Sequence, residues 1–513
     1  MEYPFKTTPY KHQLDCFNLS KDRDVFALFM EMGTGKSKVI LDTAGYLFLT
    51  GKINGLVIVA PKGAYLNWID DEIPKHMSEA VPVRIAHWSS YGLASVKDAI
   101  KKLYLPSNSL RVFVVNVEAL AMEKAANEID TFLDNFQSLM VVDESTTIKN
   151  RDAKRTKIII NLGKQARYRR ICTGNPIPNS PLDLYSQTEF LRKNLLGFGN
   201  FFAFRNRYAI MLKKQLGKQC FESIVGYRDV DKLTQQMNSF SFVIKKSECL
   251  DLPPKLYSFA DVEMGPQQKK AYNEMVHESQ VTLGDRVVSA VLVITQLVKL
   301  HQIACGFIKA GENEPEYSFP EKNHRLETLL ELVEQAPGKV IIWATYRYNI
   351  KQIVEALAEK FGANSVVAYY GEVSDTNKAI ARREFKDPNS SVRYMVANPD
   401  SGKFGNTWTL ATTVLYYSNS YNLESRQQSE DRAHRISQFG SAHQSLDPSA
   451  KVFLDSGEEI SAEDAAERTS VLYIDLRVRG TVDDRISNIL RKKKKLTDEI
   501  VQSNWRWLIG DSV

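Results

Sequence analysis

The sequence contains few residues of the kinds that cross-link a secreted domain or bind a structural metal. Only five of its 513 residues are cysteine, and no two of them form a Cys-x-x-Cys pair. Its eight histidines include no His-x-x-x-His pair. A disulfide framework and a zinc site are therefore disfavoured. This composition is typical of a protein from a reducing, intracellular compartment.

Long hydrophobic runs are also absent. The most apolar segments, such as 56–60 and 340–343, have only the length of a strand, and the N-terminus lacks an apolar segment behind a basic start. We therefore expect neither a secretory signal nor a membrane span. Lysine and arginine total 67 against 61 acidic residues, and the net charge of +6 permits a polyanionic partner without requiring one.

Buried-strand candidates alternate with amphipathic helical stretches twice along the chain. After the apolar runs VFALFM and GLVIVAP, the candidates are 111–117, 138–144, 167–174, 338–345, 365–371, 392–398, 412–418 and 470–476. This alternation predicts an α/β fold with two doubly wound parallel sheets in tandem.

Three stretches interrupt this alternation. Residues 181–246 predict helices and a hairpin outside the main sheet, and 264–318 predict a second helical insertion. The polar stretch 440–469 predicts a surface excursion, with a hairpin as one interpretation. A stiff Asp-Leu-Pro-Pro-Lys segment at 251–255 marks the boundary between domains 1–250 and 251–513.

The most specific motif is MEMGTGKS at 30–37, between an apolar run and a helical stretch. A phosphate site needs backbone N–H groups on a glycine turn, a lysine for the β- and γ-phosphates, and a hydroxyl for Mg²⁺. The turn, the lysine and the hydroxyl are supplied by Gly33, Thr34, Gly35, Lys36 and Ser37. The strict pattern has glycine at position 30, and a plain glycine turn with an incidental lysine is the alternative.

Two carboxylates end the strand candidate 138–144. Asp143 would hold Mg²⁺, largely through its waters, and Glu144 would polarise the attacking water as a general base. The alternative is a strand that ends in acids facing water. That alternative loses weight because the strand belongs to the same predicted sheet as the phosphate loop.

Taken in order, these segments resemble a family. EMGTGKS, VIVAP followed by LNW, VVDESTTIKN, CTGNPIPN and QQSEDRAHRISQ are similar to the motifs of superfamily-two helicases. LPPK at 252–255, QLVKLHQ at 296–302 and GTVDDRI at 480–486 are similar to segments of its Swi/Snf-like (sucrose non-fermenting) branch of double-stranded DNA translocases. The resemblance implies two RecA-like lobes and a C-terminal brace helix at about 480–510.

The resemblance also assigns residues around the nucleotide. Gln13 would contact the adenine of ATP. Arg432 and Arg435, on one helical face, would be arginine fingers that reach the γ-phosphate from the second lobe. The alternative for this pair is a helix with solvated charges.

Coupling and DNA contacts follow from the same resemblance. The residues that would couple hydrolysis to movement are Thr173, Gly402 and Gly405. Contacts to DNA phosphates, which do not depend on base sequence, would come from Lys62, Asn398 and Lys403. The sequence departs from the family pattern at Ser145-Thr146, where alanine and histidine are common, and at Asn175, where threonine is usual.

The implied activity is an ATP-dependent motor that requires ATP and Mg²⁺ and moves on double-stranded or branched DNA, remodelling forks or branches. It would act in the cytoplasm at the nucleoid, or in the nucleus of a eukaryote. Two alternatives remain open: an ATP-gated clamp or scaffold that does not translocate, and an RNA helicase. Protein partners from a replication or recombination assembly are left open.

Overall fold

The structure is a computed structural model of the whole chain. It describes residues 2–89, 94–178, 180–216, 219–249, 255–283, 286–289, 293–311, 314–402, 408–434, 451–454, 457–466 and 470–490. The chain divides into two compact units between Leu250 and Asp251. The first unit contains the described residues up to 249, and the second contains those from 255 onward.

Nine strands are described in the first unit. They are β1 (Val25–Met30), β2 (Gly55–Ala60), β3 (Val83–His87), β4 (Leu110–Asn116), β5 (Ser138–Asp143), β6 (Tyr168–Cys172), β7 (Ala209–Leu216), β8 (Gln219–Tyr227) and β9 (Ser241–Ile244). Seven of them form one parallel sheet in the order β3-β4-β2-β5-β6-β1-β9, and β7 pairs with β8 as a separate hairpin.

Helices cover both faces of this sheet. They are α1 (Lys11–Ser20), α2 (Lys36–Leu49), α3 (Tyr65–Asn67), α4 (Ile73–His76), α5 (Ala94–Leu103), α6 (Glu123–Asn135), α7 (Lys154–Gly163), α8 (Leu184–Leu191), α9 (Phe201–Tyr208), α10 (Val230–Asn238) and α11 (Lys246–Cys249). Alternate residues of β1 enter two different hydrophobic clusters, Val25 and Phe29 on one face and Phe26 and Met30 on the other. A strand buried on both faces has to be apolar throughout, which explains the run VFALFM.

The stretch 181–246 contains the helices and the hairpin that its sequence predicts. The expectation that it adds no strand to the main sheet was wrong, because β9 pairs with β1, placing Ser241 opposite Ala27 and Ile244 opposite Met30. The strand is only four residues long, and its two central residues are half-buried. A short edge strand of this kind lacks the continuous apolar run of a central parallel strand.

Twelve strands are described in the second unit. They are β10 (Leu256–Asp261), β11 (Gln280–Leu283), β12 (Arg286–Ser289), β13 (Phe307–Lys309), β14 (Glu316–Ser318), β15 (Lys339–Trp343), β16 (Val366–Tyr369), β17 (Tyr394–Ala397), β18 (Ala411–Tyr416), β19 (Val452–Leu454), β20 (Glu459–Ile460) and β21 (Leu472–Arg477). Eight of these form a sheet in the order β16-β17-β15-β18-β21-β10-β19-β20, parallel except at β19 and β20.

The helices of the second unit again lie on both faces of its sheet. They are α12 (Pro266–Glu278), α13 (Val293–Ala304), α14 (His324–Gln335), α15 (Arg347–Phe361), α16 (Asp375–Lys386), α17 (Pro399–Gly402), α18 (Leu423–Glu430) and α19 (Ala462–Ala466). Along β15, Val340 and Ile342 pack in one hydrophobic cluster and Ile341 and Trp343 in another. The predicted pair of doubly wound α/β sheets is thereby confirmed.

The second insertion and the C-terminal segment pack together. Residues 482–490 are helical, and Ile486 and Leu490 share a cluster with Tyr272 of α12 and Leu300 of α13. The rest of the predicted brace helix, 491–510, lies outside the described residues. Residues 440–450 of the predicted surface excursion also lie outside the described residues. The later part of this excursion forms the β19-β20 hairpin at the sheet edge. None of the described helices has the length and apolar character of a bilayer span.

Candidate nucleotide-binding site

The phosphate loop lies between β1 and α2, and its glycines have the conformations that the motif predicts. Gly33 and Gly35 have φ angles of 84° and 94°, in the left-handed region. A Cβ on Gly35 would lie 2.2 Å from Nε2 of Gln13. The backbone conformation thus favours glycine at position 35, and a side chain there would displace the Gln13 amide.

Helix α1 is tied to this loop by two neighbouring side chains. Gln13 donates from Nε2 to the Thr34 carbonyl over 3.0 Å, and the Nε2 of His12 lies 2.8 Å from the same oxygen. The Oε1 of Gln13 accepts a hydrogen bond from the Tyr10 N–H. The structure thus places Gln13 beside the loop, and it adds His12, a contact that the sequence did not reveal.

Lys36 and Ser37 are the first two residues of α2. The Lys36 ammonium donates to the carbonyl of Met30, the last residue of β1, over 2.9 Å. The side chain therefore folds back across the turn. The helix N-terminus adds partial positive charge at this point.

The carboxylate of Asp143 accepts three hydrogen bonds. Its Oδ2 accepts from the Trp68 indole over 3.0 Å, and its Oδ1 accepts from the Glu144 N–H over 2.9 Å and from the Cys172 thiol over 3.2 Å. Burial, and then Asp143 itself, raise the pKa of Cys172 well above its ordinary value, so the thiol stays protonated and donates. No sequence pattern identified Trp68 or Cys172 as a partner of Asp143.

Glu144 has an unusual backbone conformation. Its φ of 45° lies in the left-handed region, which for a residue other than glycine costs about 1 kcal/mol or more. Its side chain is held by the Thr173 hydroxyl, which donates to Oε2 over 3.0 Å. The surroundings therefore fix both the backbone and the side chain of the predicted general base.

A buried bridge joins the turn after Glu144 to the loop after Thr173. The Ser145 hydroxyl donates to Oε1 of Gln187 over 2.7 Å, and Nε2 of Gln187 donates to the Pro176 and Asp183 carbonyls, each over 2.8 Å. Gln187 lies on α8 and is fully buried. The departure at Ser145 thus has a polar partner in the structure.

These loops meet at the carboxyl ends of β1, β5 and β6, with β6 between the other two in the sheet. Lys36, Asp143 and Glu144 all act electrostatically on the Cys172 thiol. A Cβ on Gly174 would lie 3.2 Å from the Met32 nitrogen of the phosphate loop. The carboxyl edge of a parallel sheet is where such folds bind ligands.

The residues at this edge fit a magnesium nucleotide. Within the described ranges, no group of three His, Cys, Asp or Glu side chains could hold a metal ion by itself. Mg²⁺ needs no such group, because it is usually bound by one or two protein oxygens together with substrate phosphates and water. The Ser37 hydroxyl and the Asp143 carboxylate provide oxygens of this kind.

The predicted arginines belong to the second unit. Arg432 follows α18 and is fully buried, and its carbonyl accepts from the Trp408 N–H over 2.9 Å. Arg435, Lys403 and Gly405 lie outside the described residues. The role of each of these residues stays a prediction.

The remaining predicted contacts have well-defined surroundings. Lys62 is exposed after β2, and its backbone N–H donates to Glu118 over 3.0 Å. The Asn398 amide donates to the Thr345 carbonyl over 2.9 Å, and its Oδ1 accepts from the Asp400 N–H. Asn398 is thus engaged within its own unit, four residues before α17 ends at Gly402. A DNA contact by Asn398 or Lys62 stays a prediction.

A buried ion-pair cluster precedes Arg432. The Lys255 ammonium lies 3.2 Å from Glu430 Oε2 and 3.1 Å from Asp431 Oδ1. Tyr257 and Arg426 donate to the two oxygens of Glu430 over 2.9 and 2.7 Å. Burial acts to lower the pKa of Lys255, but Asp431, Tyr257 and Glu430 raise it well above its ordinary value. The last residue of the linker segment is therefore bound to the two acids before the predicted arginine finger.

Comparison with known proteins identifies two domain families in this order. The profile described as SNF2-related domain matches residues 16–305, more than half of the chain, and the profile described as helicase conserved C-terminal domain matches residues 321–437. The tandem arrangement agrees with the two RecA-like lobes that the resemblance implies.

Individual relatives are distant. The mouse DNA annealing helicase and endonuclease ZRANB3 is 25% identical over 449 residues, which are 85% of this chain and 38% of the mouse protein. The Zorya protein ZorD of Escherichia coli is 26% identical over 314 residues, which are 59% of this chain and 28% of ZorD. The chain therefore spans well under half the length of these relatives.

A solved structure also matches over the full chain. The Sulfolobus solfataricus SWI2/SNF2 ATPase core in complex with dsDNA is 19% identical, and the match covers 100% of this chain and 97% of that one. Its TM-score of 0.40 is too low to support a structural inference.

Proposed function

This chain belongs to the SNF2-related domain family, and we propose that it hydrolyses ATP to move along double-stranded DNA. The observation that carries the proposal is the meeting of the phosphate loop, the Asp143–Glu144 pair and Thr173 at one edge of a parallel sheet. We further propose that its substrates are forks or branched DNA, which the name of the mouse relative, an annealing helicase, supports. Its place of action is then the nucleoid or the nucleus.

Binding of ATP uses the phosphate loop. The backbone N–H groups around Gly33 and Gly35 surround the β-phosphate, and the Lys36 ammonium moves from the Met30 carbonyl to the β- and γ-phosphate oxygens. Ser37 and Asp143 would hold Mg²⁺, which would neutralise part of the phosphate charge.

Hydrolysis depends on Glu144. Its carboxylate orients a water molecule in line with the γ-phosphorus and accepts a proton as the new P–O bond forms and the bond to the β-phosphate oxygen breaks. The Thr173 hydroxyl donates to Oε2 and so holds the carboxylate in a defined orientation. Thr173 therefore positions the base, and through it the loop 173–176 is sensitive to the state of the nucleotide.

The second unit supplies the remaining charge. We propose that Arg432 and Arg435 stabilise the negative charge that develops on the γ-phosphoryl group. A cation supplied from another domain raises the rate of phosphoryl transfer by several orders of magnitude. Hydrolysis would then require the two units to close on the nucleotide. This requirement links turnover to stepping, with Gly402 and Gly405 in the segment that couples them.

The proposed DNA contacts are sequence-independent. Lys62 and Lys403 bind backbone phosphates. Asn398 shapes the segment that leads to Lys403, because its amide donates to the Thr345 carbonyl in the loop after β15. Binding of this kind weakens steeply with salt.

The test is ATP hydrolysis measured without nucleic acid and with single-stranded DNA, duplex, fork and RNA. Lys36→Ala and Glu144→Gln should lower duplex-stimulated turnover by about 10² or more. The matched controls Lys124→Ala and Glu123→Gln, exposed on α6, should retain it. ATP-dependent displacement of a third strand from a triplex should accompany hydrolysis.

Three results would contradict the proposal. ATP turnover that is the same with and without DNA would refute the DNA motor and favour a clamp. Stronger stimulation by RNA than by DNA would favour an RNA helicase. If duplex DNA stimulates hydrolysis but no third strand is displaced, the proposed translocation would be refuted.

A further inference from the structure

The segment 192–228 of the first unit concentrates positive charge. It contains eight lysines and arginines and one acidic residue, Glu222, a net charge of +7, whereas the whole chain carries +6. The rest of the chain is therefore close to neutral. None of the roles proposed above for Lys36, Glu144 or Lys62 uses this segment.

The same segment exposes an unusual amount of apolar surface. On the β7-β8 hairpin, Ile210, Leu212, Ile224 and Val225 are each at least 40% exposed. The two strands pair with each other and with no other described strand. Large exposed apolar side chains that cluster on one element mark a binding surface more often than isolated ones do.

The base of the hairpin is anchored in the first unit. Tyr208 stacks edge-on against Phe198 and Phe204, in the hydrophobic core of the unit. The Arg228 N–H donates to the Tyr208 carbonyl over 2.9 Å, and its guanidinium donates to the Asn206 carbonyl over 2.6 Å. The base of the hairpin is thus attached to the core of the first unit.

An exposed aromatic ring lies next to the hairpin. Phe202 of α9 is 54% exposed, and the guanidinium groups of Arg151 and Arg205 lie 5.0 and 5.4 Å from its centroid. Arg205 also contacts Glu222 of β8 over 3.4 Å, which joins this ring to the hairpin. An aromatic face flanked by arginines is suited to stack an unpaired base beside a phosphate.

We propose that the segment 192–228 binds DNA at a branch point, where the hairpin and Phe202 contact base faces that the interrupted stack exposes. The net charge of +7 favours a polyanion as the occupant, since basic residues bind phosphates by charge alone. The apolar side chains favour a branch over continuous duplex, since stacked base pairs offer only phosphates and groove edges. The inference rests on the proposed function only for the choice of DNA as the polyanion.

The first test removes the apolar surface without touching the core. Leu212→Ser with Val225→Ser is compared with a matched control, Leu105→Ser with Met122→Ser, whose side chains are 55% and 44% exposed in the same unit. Fluorescence anisotropy without ATP gives Kd for a fork and for a duplex of equal length. The hairpin variant should weaken fork binding about tenfold, roughly what losing one stacked base would cost, and duplex binding less than about twofold. The control should change neither.

The second test concerns the charge. Lys213 and Lys214 belong to β7. The double variant Lys213→Gln with Lys214→Gln should lower the slope of log Kd against log salt by about two, both for the fork and for the duplex. The matched pair Lys101→Gln with Lys102→Gln, exposed on α5, should leave the slope unchanged. An unchanged slope in the hairpin variant would overturn the assignment of DNA.

The outcomes separate this inference from the proposed function. Equal weakening of fork and duplex by the apolar variant would overturn the branch assignment, and unchanged binding of both would overturn the DNA assignment and indicate a protein occupant. Because these measurements need no hydrolysis, they stand even if Lys36→Ala and Glu144→Gln retain their turnover. In that case the proposed motor function would be refuted, whereas the proposed DNA site on the hairpin would not.

Discussion

Replacement of Lys255 by methionine should destabilise the second unit and lower the rate of ATP hydrolysis. The ammonium pairs with Glu430 and Asp431, and all three side chains are nearly inaccessible to solvent, at 11%, 7% and 6% exposure. Methionine fills a similar volume but removes the ammonium that Glu430 and Asp431 share. The perturbation is therefore electrostatic rather than steric.

The magnitude follows from the partners that remain. Removing one member of a buried ion pair costs about 3–5 kcal/mol. Glu430 keeps its hydrogen bonds from Arg426 and Tyr257, so the lower end, about 3 kcal/mol, applies. For a unit of this size each kcal/mol shifts Tm by about 2–4 °C, which gives a decrease of about 6–12 °C.

The assay is thermal and urea unfolding of the full chain, following the transition of the second unit. Lys339→Met is the matched control, because Lys339 is also buried at the sheet but donates only to the Glu384 and Asp387 carbonyls. Loss of these neutral hydrogen bonds should cost about 1–2 kcal/mol. Lys255→Met combined with Asp431→Asn should regain part of the stability, since the double variant removes both charges of the buried pair.

Turnover gives a second measurement of the same effect. The acids that hold Lys255 immediately precede Arg432, whereas the phosphate loop lies in the other unit. We therefore expect Lys255→Met to lower kcat for ATP with little change in KM. Equal destabilisation by the two lysine variants, or a Tm that Asp431→Asn fails to raise, would refute the ion pair as the cause.

Three further outcomes are expected. Gly35→Ala should weaken binding of a fluorescent ATP analogue at least about tenfold because its Cβ would displace the Gln13 amide from the loop. Gly51→Ala, also left-handed but with no atom within 4 Å, should not weaken binding. Trp68→Phe should raise the Mg²⁺ concentration needed for half-maximal turnover, because a hydrogen bond to a carboxylate is worth about 1.5–3 kcal/mol, and an unchanged Mg²⁺ titration would contradict this role. Burial acts to lower the pKa of His301, but neighbouring groups that include Asp483 raise it to about 10. The stability it contributes is thus complete below pH 6.5 and lost as the pH rises towards 10, so Tm should fall over that range and stay flat in His301→Gln.

The sequence predicts the central strands because each carries its own signal. Every strand candidate, from 111–117 to 470–476, overlaps an observed strand, since a strand covered by helices on both faces must be a continuous apolar run. The edge strands β3 and β9 and the strand β10 were not predicted. Their side chains are partly half-buried or exposed, and such segments resemble loops until their partners are known.

The candidate site divides in the same way. The phosphate loop and the Asp143–Glu144 pair are local patterns that the sequence displays directly. The partners that hold them come from far along the chain: Trp68 lies 75 residues from Asp143, Gln187 lies 42 residues from Ser145, and Lys255 lies 175 residues from Glu430. No periodicity or spacing rule reports a contact of this kind.

The departure at Ser145 shows why such contacts change the interpretation of a motif. By sequence alone, a hydroxyl where alanine is common suggests weakened coupling between hydrolysis and movement. In the structure, Ser145 is buried and donates to Gln187, which also holds the Pro176 carbonyl beside Thr173. A buried hydroxyl without a partner would cost about 1–3 kcal/mol, whereas a satisfied pair costs little. The two polar residues therefore form one unit that ties the turn at Glu144 to the loop at Thr173, and the departure adds a connection to the nucleotide site rather than removing one.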